Sequence, residues 1–481
     1  MENGELRMKN RAKTQYEPTI GLEIHVQLST KSKMFCACNN DSDGASPNTN
    51  VCPVCMGFPG TLPVANGEAM RYSMILANAL GCKLNKYVRF DRKNYFYPDL
   101  PKGYQITQLD YPTGEHGEVR VNDFKVGITR LHLEEDAGKL IHKKDYSLAD
   151  YNRTGTPLAE IVTEPDIKSP EEAREFLKEL RKIVRAMDVS SADMEKGHLR
   201  VDANVSLAPI GSKKLGAKVE VKNLNSFKSV ERALRFEIER QDALLQKDEK
   251  IAQETRGWDD AKGVTLGQRS KEESRDYRYF PEPDLPPFIY DDKNIAKIEK
   301  EMPALPKKLR DKLVAKYTLN VEKTEVLLDK LLALNINERH ETMQLLDKSK
   351  NTVRLVGEIL SLERFTLKGT RVLSLAMDAA EDDQITYDAA IKKLAPALAK
   401  EKVVSAETVK KLITKLDLAQ ISSGGDLKAS IELLLKNNSD AVDKYRAGKK
   451  NVLGFLVGEA MRELKGKADP KEITKILMKL L

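Results

Sequence analysis

The 481-residue sequence predicts an α+β protein: a large, mainly antiparallel sheet with a few helices, then a helical bundle and a small helical tail. Three observations carry this. Gly21–Leu28 alternates strictly, with Leu22, Ile24, Val26 and Leu28 on one side and Glu23, His25 and Gln27 on the other, the period of a half-buried strand. Pro281-Glu282-Pro283-Asp284-Leu285-Pro286-Pro287, with Pro303 and Pro306 soon after, cannot continue a helix or an inner strand and marks a linker. From about Lys307 the pattern is helical almost throughout, as in Val326-Leu327-Leu328-Asp329-Lys330-Leu331-Leu332.

The elements follow in order. Ser169-Pro170-Glu171-Glu172 supplies an N-cap, a proline at the first helical position and acidic residues in the first turn, and an apolar stripe through Phe176, Leu177, Leu180 and Ile183 follows. Leu199–Leu207 is a second alternating strand, with Arg200, Asp202 and Asn204 on one side, and Ala217–Lys222 is a third. A helix is expected over Lys228–Leu245. In the helical half, Ser422-Ser423-Gly424-Gly425 punctuates the chain and Asp469-Pro470-Lys471-Glu472 opens the last helix.

Composition narrows the class. No apolar run reaches the length of a membrane span, and the N-terminus lacks the apolar core of a signal peptide. Five cysteines, four of them clustered, fit a reducing compartment and a metal better than a disulfide framework. A cytoplasmic protein is expected. The net charge of +7 is uneven: residues 441–481 carry 10 Lys+Arg against 5 Asp+Glu, whereas residues 1–290 carry 44 of each. A basic tail on a neutral body suits a polyanion such as RNA, or is a solvated helical surface.

Cys36-x-Cys38 and Cys52-x-x-Cys55 give two close pairs of thiolates, able to close a tetrahedral Zn²⁺ site whose role is structural because no coordination position stays open. Cys82 stands apart and reads as a small core residue. The Glu23/His25/Gln27 face is either the wall of a polar cleft or a strand face wetted by solvent. His132-Leu133-Glu134-Glu135-Asp136 gathers three carboxylates and a histidine, and Glu160 interrupts the apolar run Leu158–Val162, a costly place for a carboxylate without a cation or partner. Glu23, His25, Glu135 and Glu160 together make a plausible Mg²⁺ set of hard ligands; otherwise they are separate surface groups. Two aromatic-basic strings, Phe90–Asp99 and Asp276–Asp284, can stack on bases or pack at a domain edge. Gly211–Lys218 has phosphate-loop glycine spacing, but Ala217 occupies the lysine position.

These strings are also collinear with one family. Gly21–Leu28, Asn48–Cys55 running into Leu62–Asn66, Asp91–Asp99, His132–Lys139, Gly155–Leu158, Lys222–Phe227, Asp276–Asp284 and Gly454–Gly458 closely resemble the B subunit of the aspartyl/glutamyl-tRNA amidotransferases. The resemblance implies a cradle domain over residues 16–290, a helical bundle over 291–405 and a tRNA-binding tail over 406–481, with residues 1–15 a disordered extension. It implies that ATP phosphorylates the side-chain carboxylate of glutamate or aspartate esterified to tRNA, and that ammonia then displaces phosphate. Glu23, His25, Glu135 and Glu160 fall where the family binds Mg²⁺, Glu135 and Lys93 are the implied catalytic residues, and Lys93 would steady the phosphoryl group. Some members lack the four cysteines, so zinc would brace a loop. The implied partners are a glutamine-hydrolysing amidase and a small third subunit, in a heterotrimer. A non-catalytic tRNA-binding scaffold is the rival.

Overall fold

A computed structural model describes residues 16–270, 277–349, 352–363, 365–421 and 425–481. The proposed extension over 1–15, Asp276 and most of the Ser422–Gly425 punctuation lie outside them. The chain forms two compact units divided between Pro306 and Lys307, within the proline-dense stretch.

The first unit is built on a nine-stranded sheet in the order β14 (Val264–Ser270), β13 (Glu254–Asp259), β12 (Val219–Leu224), β11 (Leu199–Pro209), β1 (Tyr16–Gln27), β10 (Pro157–Thr163), β7 (Phe124–Glu135), β6 (Gly114–Val121) and β2 (Lys83–Leu84). Only β12 and β13 run parallel. They are joined by α3 (Phe227–Leu245), the crossover that parallel neighbours require. The opening strand β1 is the middle of the sheet. Ile20, Leu22, Ile24 and Val26 are fully buried on one face while Glu23, His25 and Gln27 are only partly covered on the other.

Helices α1 (Gly67–Ala79), α2 (Pro170–Ala186) and α3 cover the apolar face. Ser169 caps α2 by accepting from the Glu172 N–H at 3.1 Å, with Pro170 beginning the helix. Its stripe of Phe176, Leu177 and Leu180 loses all solvent contact, roughly 1.5–3 kcal/mol per side chain by area. Ser226 caps α3 in the same way, through the Ser229 N–H at 3.0 Å. Cys82 is a buried core residue whose thiol burial pushes up to about 12. It is seated against Gly117, where an added Cβ would stand 2.6 Å from its sulfur.

Against β7 sits a three-stranded sheet of β15 (Phe280–Pro281), β4 (Asp91–Asn94) and β5 (Tyr104–Thr107). Two small ribbons complete the unit, β3 (Tyr87–Val88) with β16 (Phe288–Ile289) and β8 (Lys139–His142) with β9 (Ser147–Asp150). After the linker, α4 (Asp292–Glu301), started by an Asp291 capping box, lies beside α1, with Arg71 3.7 Å from Glu301.

The second unit is helical. Its last segment encloses its own core of Leu427, Ile431, Leu434, Leu456, Ala460, Ile473 and Leu477. Asp469 starts the final helix, Pro470–Leu480, by accepting from the Lys471 N–H at 2.6 Å. No helix among the described residues is long and apolar enough to cross a membrane.

Candidate functional site

The polar face of the central strands carries the site. Strand pairing sets His25 of β1 opposite Glu160 of β10 and Arg200 of β11, and sets Glu160 opposite His132 of β7. Side chains on directly paired residues share a face, so the pairing alone brings an imidazole, a carboxylate and a second imidazole into line. His25 Nε2 lies 3.4 Å from Glu134 Oε1, 3.4 Å from Glu160 Oε2 and 4.0 Å from Glu23 Oε1. His132 Nε2 lies 3.3 Å from the same Glu160 oxygen. Glu160 is only 6% exposed.

Carboxylates this close in a dry setting repel. Burial, then the charge of Glu160, push the Glu23 carboxyl above its ordinary range. For Glu160, burial acts upward, but the charge and hydrogen bond of His132 and those of His25 outweigh it and hold the carboxylate well below the usual range. Burial acts against protonating His25 as well, yet hydrogen bonds to Glu134 and Glu160 raise it to about 10. The metal-free site thus holds itself together with a proton on His25. The other nitrogen of His132, Nδ1, is buried with no hydrogen-bond partner. Three carboxylates and two imidazoles gathered around the shared carboxylate of Glu160 fit a hard divalent cation. Glu23, His25 and Glu160 form one set of donor atoms within 4.8 Å of one another, and His132, Glu134 and Glu160 form another.

Lys93 comes from the second sheet. Its ammonium sits 4.9 Å over the Tyr277 ring. Burial works against the charge, but the carboxylates of Glu134 and Glu160 and the Tyr279 side chain raise its pKa well above the usual value. The two aromatic-basic strings meet here: Phe280 of β15 pairs with Arg92 of β4, and Arg92 forms a fork with Glu282 at 2.7 and 2.8 Å. Further along the polar face, Arg200 binds Asp136 at 2.8 Å and Lys222 binds Asp202 at 2.6 Å.

Of the residues singled out by sequence for magnesium, the structure brings Glu23, His25 and Glu160 together and leaves Glu135 apart. Neighbours on a strand point to opposite faces. Glu134 shares the polar face with His132, whereas Glu135 turns to the other side and pairs with Lys102 and the Ile106 N–H at 2.9 Å. Lys102 and Glu135 line a separate cavity of about 110 Å³ beside Cys36 and Cys55. Sequence reasoning names His132 and Glu134 in the acidic string but leaves both out of the magnesium set, and it does not single out Lys102. A signal is present for two of them, because His132-x-Glu134 repeats the two-residue spacing of Glu23-x-His25.

Cys36, Cys38, Cys52 and Cys55 converge, each offering a sulfur within 4.8 Å of the others. A hydrogen bond from Cys36, opposed by burial and aided by the Cys52 N–H and Lys33, pulls the Cys55 thiol down to about 5. Its hydrogen-bond partner Cys36 is pushed far up. Four sulfurs converging from two close pairs can close a tetrahedral shell with no position left open, so the set fits structural zinc. Lys33, fully buried, donates to the Asn50 carbonyl at 2.7 Å and stands 3.9 Å from Cys55 Sγ.

Residues 18–296 match the GatB/GatE catalytic domain family and residues 352–481 match the GatB domain. The chain is 44% identical to the B subunit of the aspartyl/glutamyl-tRNA(Asn/Gln) amidotransferase of Thermotoga maritima, over 97% of this chain and 99% of that one. The proteins of the same name from Persephonella marina and Carboxydothermus hydrogenoformans are 44% and 41% identical, over 97% and 96% of this chain and 100% and 98% of theirs. Both halves match one family over nearly the full length of its members, and the cluster of acids and imidazoles falls inside the part that matches the catalytic domain. The chain therefore belongs to the B-subunit family of the aspartyl/glutamyl-tRNA(Asn/Gln) amidotransferases.

Proposed function

We propose that this chain is the component of a tRNA-dependent amidotransferase that activates and amidates the side chain of glutamate or aspartate esterified to tRNA. The observation that carries the reading is the convergence of Glu23, Glu134 and Glu160 on His25 and His132 with Lys93 above them. A carboxylate is a poor acyl donor until one oxygen becomes a good leaving group. A side-chain oxygen therefore attacks the γ-phosphorus of ATP, ADP departs, and an acyl phosphate forms. Ammonia then attacks the acyl carbon, phosphate leaves with the C–O bond, and the amide remains.

Glu23, His25, Glu134 and Glu160 would hold magnesium, whose contribution when bound is to neutralise the ATP phosphates and the approaching carboxylate. Lys93 keeps a positive charge at the mouth of the site and steadies the phosphoryl group in transfer. Tyr277 holds that ammonium in place from below. Cys36, Cys38, Cys52 and Cys55 would hold zinc, which braces their loop. Ammonia comes from a partner amidase, with a small third protein completing a heterotrimer in the cytoplasm. The basic tail, with 10 Lys+Arg against 5 Asp+Glu over residues 441–481, docks on the tRNA.

The test combines the chain with its amidase and small-protein partners, ATP, glutamine and Glu-tRNA(Gln). Gln-tRNA(Gln) is expected, and its absence sinks the reading. ATP hydrolysis stimulated by Glu-tRNA(Gln) separates the enzyme from a tRNA-binding scaffold, which would show none.

A further inference from the structure

The polar face carries a further charged group that the Glu/His cluster does not use. Arg200 of β11 is paired with His25 of β1, so its side chain starts on the same face as the cluster. It ends at Asp136, to which its Nη2 donates at 2.8 Å. Strands β1 and β10 lie between β11 and β7 in the sheet, and Asp136 directly follows β7. The two side chains therefore reach toward each other across both strands, which sets the guanidinium beside the cluster and not at the rim of the sheet. The charge of Asp136 raises the Arg200 pKa, burial opposes the rise, and the charge of Glu134 adds to it, so the guanidinium lies in the field of a cluster carboxylate.

Asp136 is a fixed anchor. It is buried, its Oδ1 accepts from the Ala137 N–H at 2.9 Å, and its own N–H donates to the Thr156 carbonyl at 2.8 Å. A second guanidinium meets the same carboxylate, with Arg153 Nε 3.2 Å from Asp136 Oδ2. Arg153 commits its donors to the backbone, Nε to the Ala137 carbonyl at 3.1 Å and Nη2 to the Gly138 carbonyl at 2.8 Å. Two guanidiniums thus share one buried carboxylate and leave a surplus of positive charge. The surplus falls to Arg200, whose Nε and Nη1 have no protein acceptor among the described residues. One end of the fork is held while the other is ready to donate, which is the preorganisation that anion binding rewards.

We propose that Arg200 binds the γ-phosphate of ATP at the phosphoryl-transfer site, with Asp136 and Arg153 as the positioning residues that aim it. The inference rests on the function proposed above. Charge calls for a further cation, because a divalent metal and Lys93 do no more than cancel Glu23, Glu134 and Glu160, and the phosphates of ATP remain. Geometry suits a guanidinium, whose parallel N–H groups match two phosphate oxygens. Chemistry favours the phosphate over the substrate carboxylate. On the carboxylate the same guanidinium would hold back the electron pair that must attack phosphorus, whereas on the γ-phosphate it stabilises the charge of the group in transfer. Lys93 comes from β4 and Arg200 from β11, so the transferred group meets cations from two separate sheets.

The experiment is titration calorimetry of the full chain with ATP, ADP and AMP in Mg²⁺, without tRNA, for the unaltered chain, Arg200→Gln and Arg200→Lys. Arg200→Gln should weaken ATP by at least about 10-fold, or 1.4 kcal/mol, weaken ADP by less and leave AMP as it is. Arg200→Lys keeps the charge but not the fork and should recover only part of the loss. Asp136→Asn should show part of the same ATP loss, since a neutral amide holds the guanidinium less firmly. If that buried change does not fold, Arg200→Gln, a change at a partly exposed side chain, still decides. Unchanged ATP affinity in Arg200→Gln overturns the proposal, as does an equal loss for ATP and ADP, or no ATP binding by the unaltered chain. In the assembled complex, Arg200→Gln should lower kcat/KM for ATP and leave the KM for Glu-tRNA(Gln) unchanged. A raised KM for Glu-tRNA(Gln) with normal ATP affinity would assign the guanidinium to the substrate carboxylate and overturn the proposal. If the unaltered complex makes no Gln-tRNA(Gln) while Arg200→Gln still weakens ATP selectively, the amidotransferase reading falls and the phosphate contact stands. Normal amidation by the Arg200→Gln complex removes the contact and leaves that reading intact.

Discussion

Glu160 faces His25 across the β1–β10 pair, with Oε2 3.4 Å from Nε2 and the same oxygen 3.3 Å from His132. One carboxylate oxygen therefore joins the imidazoles of two different strands. Without a metal the arrangement needs a proton on His25, and this gives the site a pH dependence of known sign.

In the metal-free chain the His25 pKa stands near 10 against an ordinary 6.5. A raised histidine contributes stability that is complete below 6.5 and is lost as pH rises toward 10. The melting temperature of the metal-free chain should accordingly fall between about pH 7 and 10 more steeply than that of His25→Gln. A metal ligand must be a neutral imidazole, so Mg²⁺ binding should release a proton and tighten with pH. Titration calorimetry in buffers of different ionisation enthalpy reads that release; no proton release would remove His25 from the ligand set.

Glu134 and Glu135 are neighbours with opposite duties. Glu135→Gln strips the buried Lys102 of its partner and should destabilise the chain by about 3–5 kcal/mol, seen as a lower midpoint in urea. Glu134→Gln removes one of the two carboxylates that hold the His25 proton but leaves Glu160 in place, and should lower that midpoint by less. Equal destabilisation by both would mean that the two faces are not distinct.

Arg92 and Glu282 tie the two aromatic-basic strings together, and the Glu282 side chain is 0% exposed. Lysine cannot reproduce the planar fork, so Arg92→Lys should cost about 1–3 kcal/mol and loosen the seat of Lys93 next to it. Activity in the assembled complex should fall with it. A variant with normal melting and normal activity would detach this brace from the site.

Zinc should be found at one atom per chain by elemental analysis. Cys52→Ser should abolish it, whereas Cys82→Ala should keep it, because Cys82 is a buried core residue outside the four-sulfur cluster. Chelation should lower the melting temperature while leaving the Mg²⁺ affinity of the Glu/His cluster within a factor of a few. Zinc retained by Cys52→Ser would break the four-sulfur assignment.

Much of this is legible in the sequence because its signals are local. The alternation of Gly21–Leu28 fixes which side chains of β1 share a face, Ser169-Pro170 starts α2 where it should, and Glu160 stands out in an apolar strand. The choice between Glu134 and Glu135 is different. Both are acidic and adjacent, and which one faces His25 depends on the pairing of β7 with β10, a relation between residues well apart in the chain. The Lys102–Glu135 pair, the burial of Lys33 beside Cys55 and the meeting of Arg92 with Glu282 across 190 positions are likewise products of the fold. The parallel pairing of β12 with β13 depends on the path of α3 over the sheet, which no period-2 pattern encodes.

The most direct test of the central claim is the rate at which the assembled complex converts Glu-tRNA(Gln) to Gln-tRNA(Gln) with ATP and ammonium chloride, for the unaltered chain and for Glu134→Gln. Removing one ligand charge should slow conversion by about 100-fold or more while the tRNA dissociation constant stays unchanged. An unaltered rate in Glu134→Gln, or a loss of tRNA binding equal to the loss of rate, would contradict it.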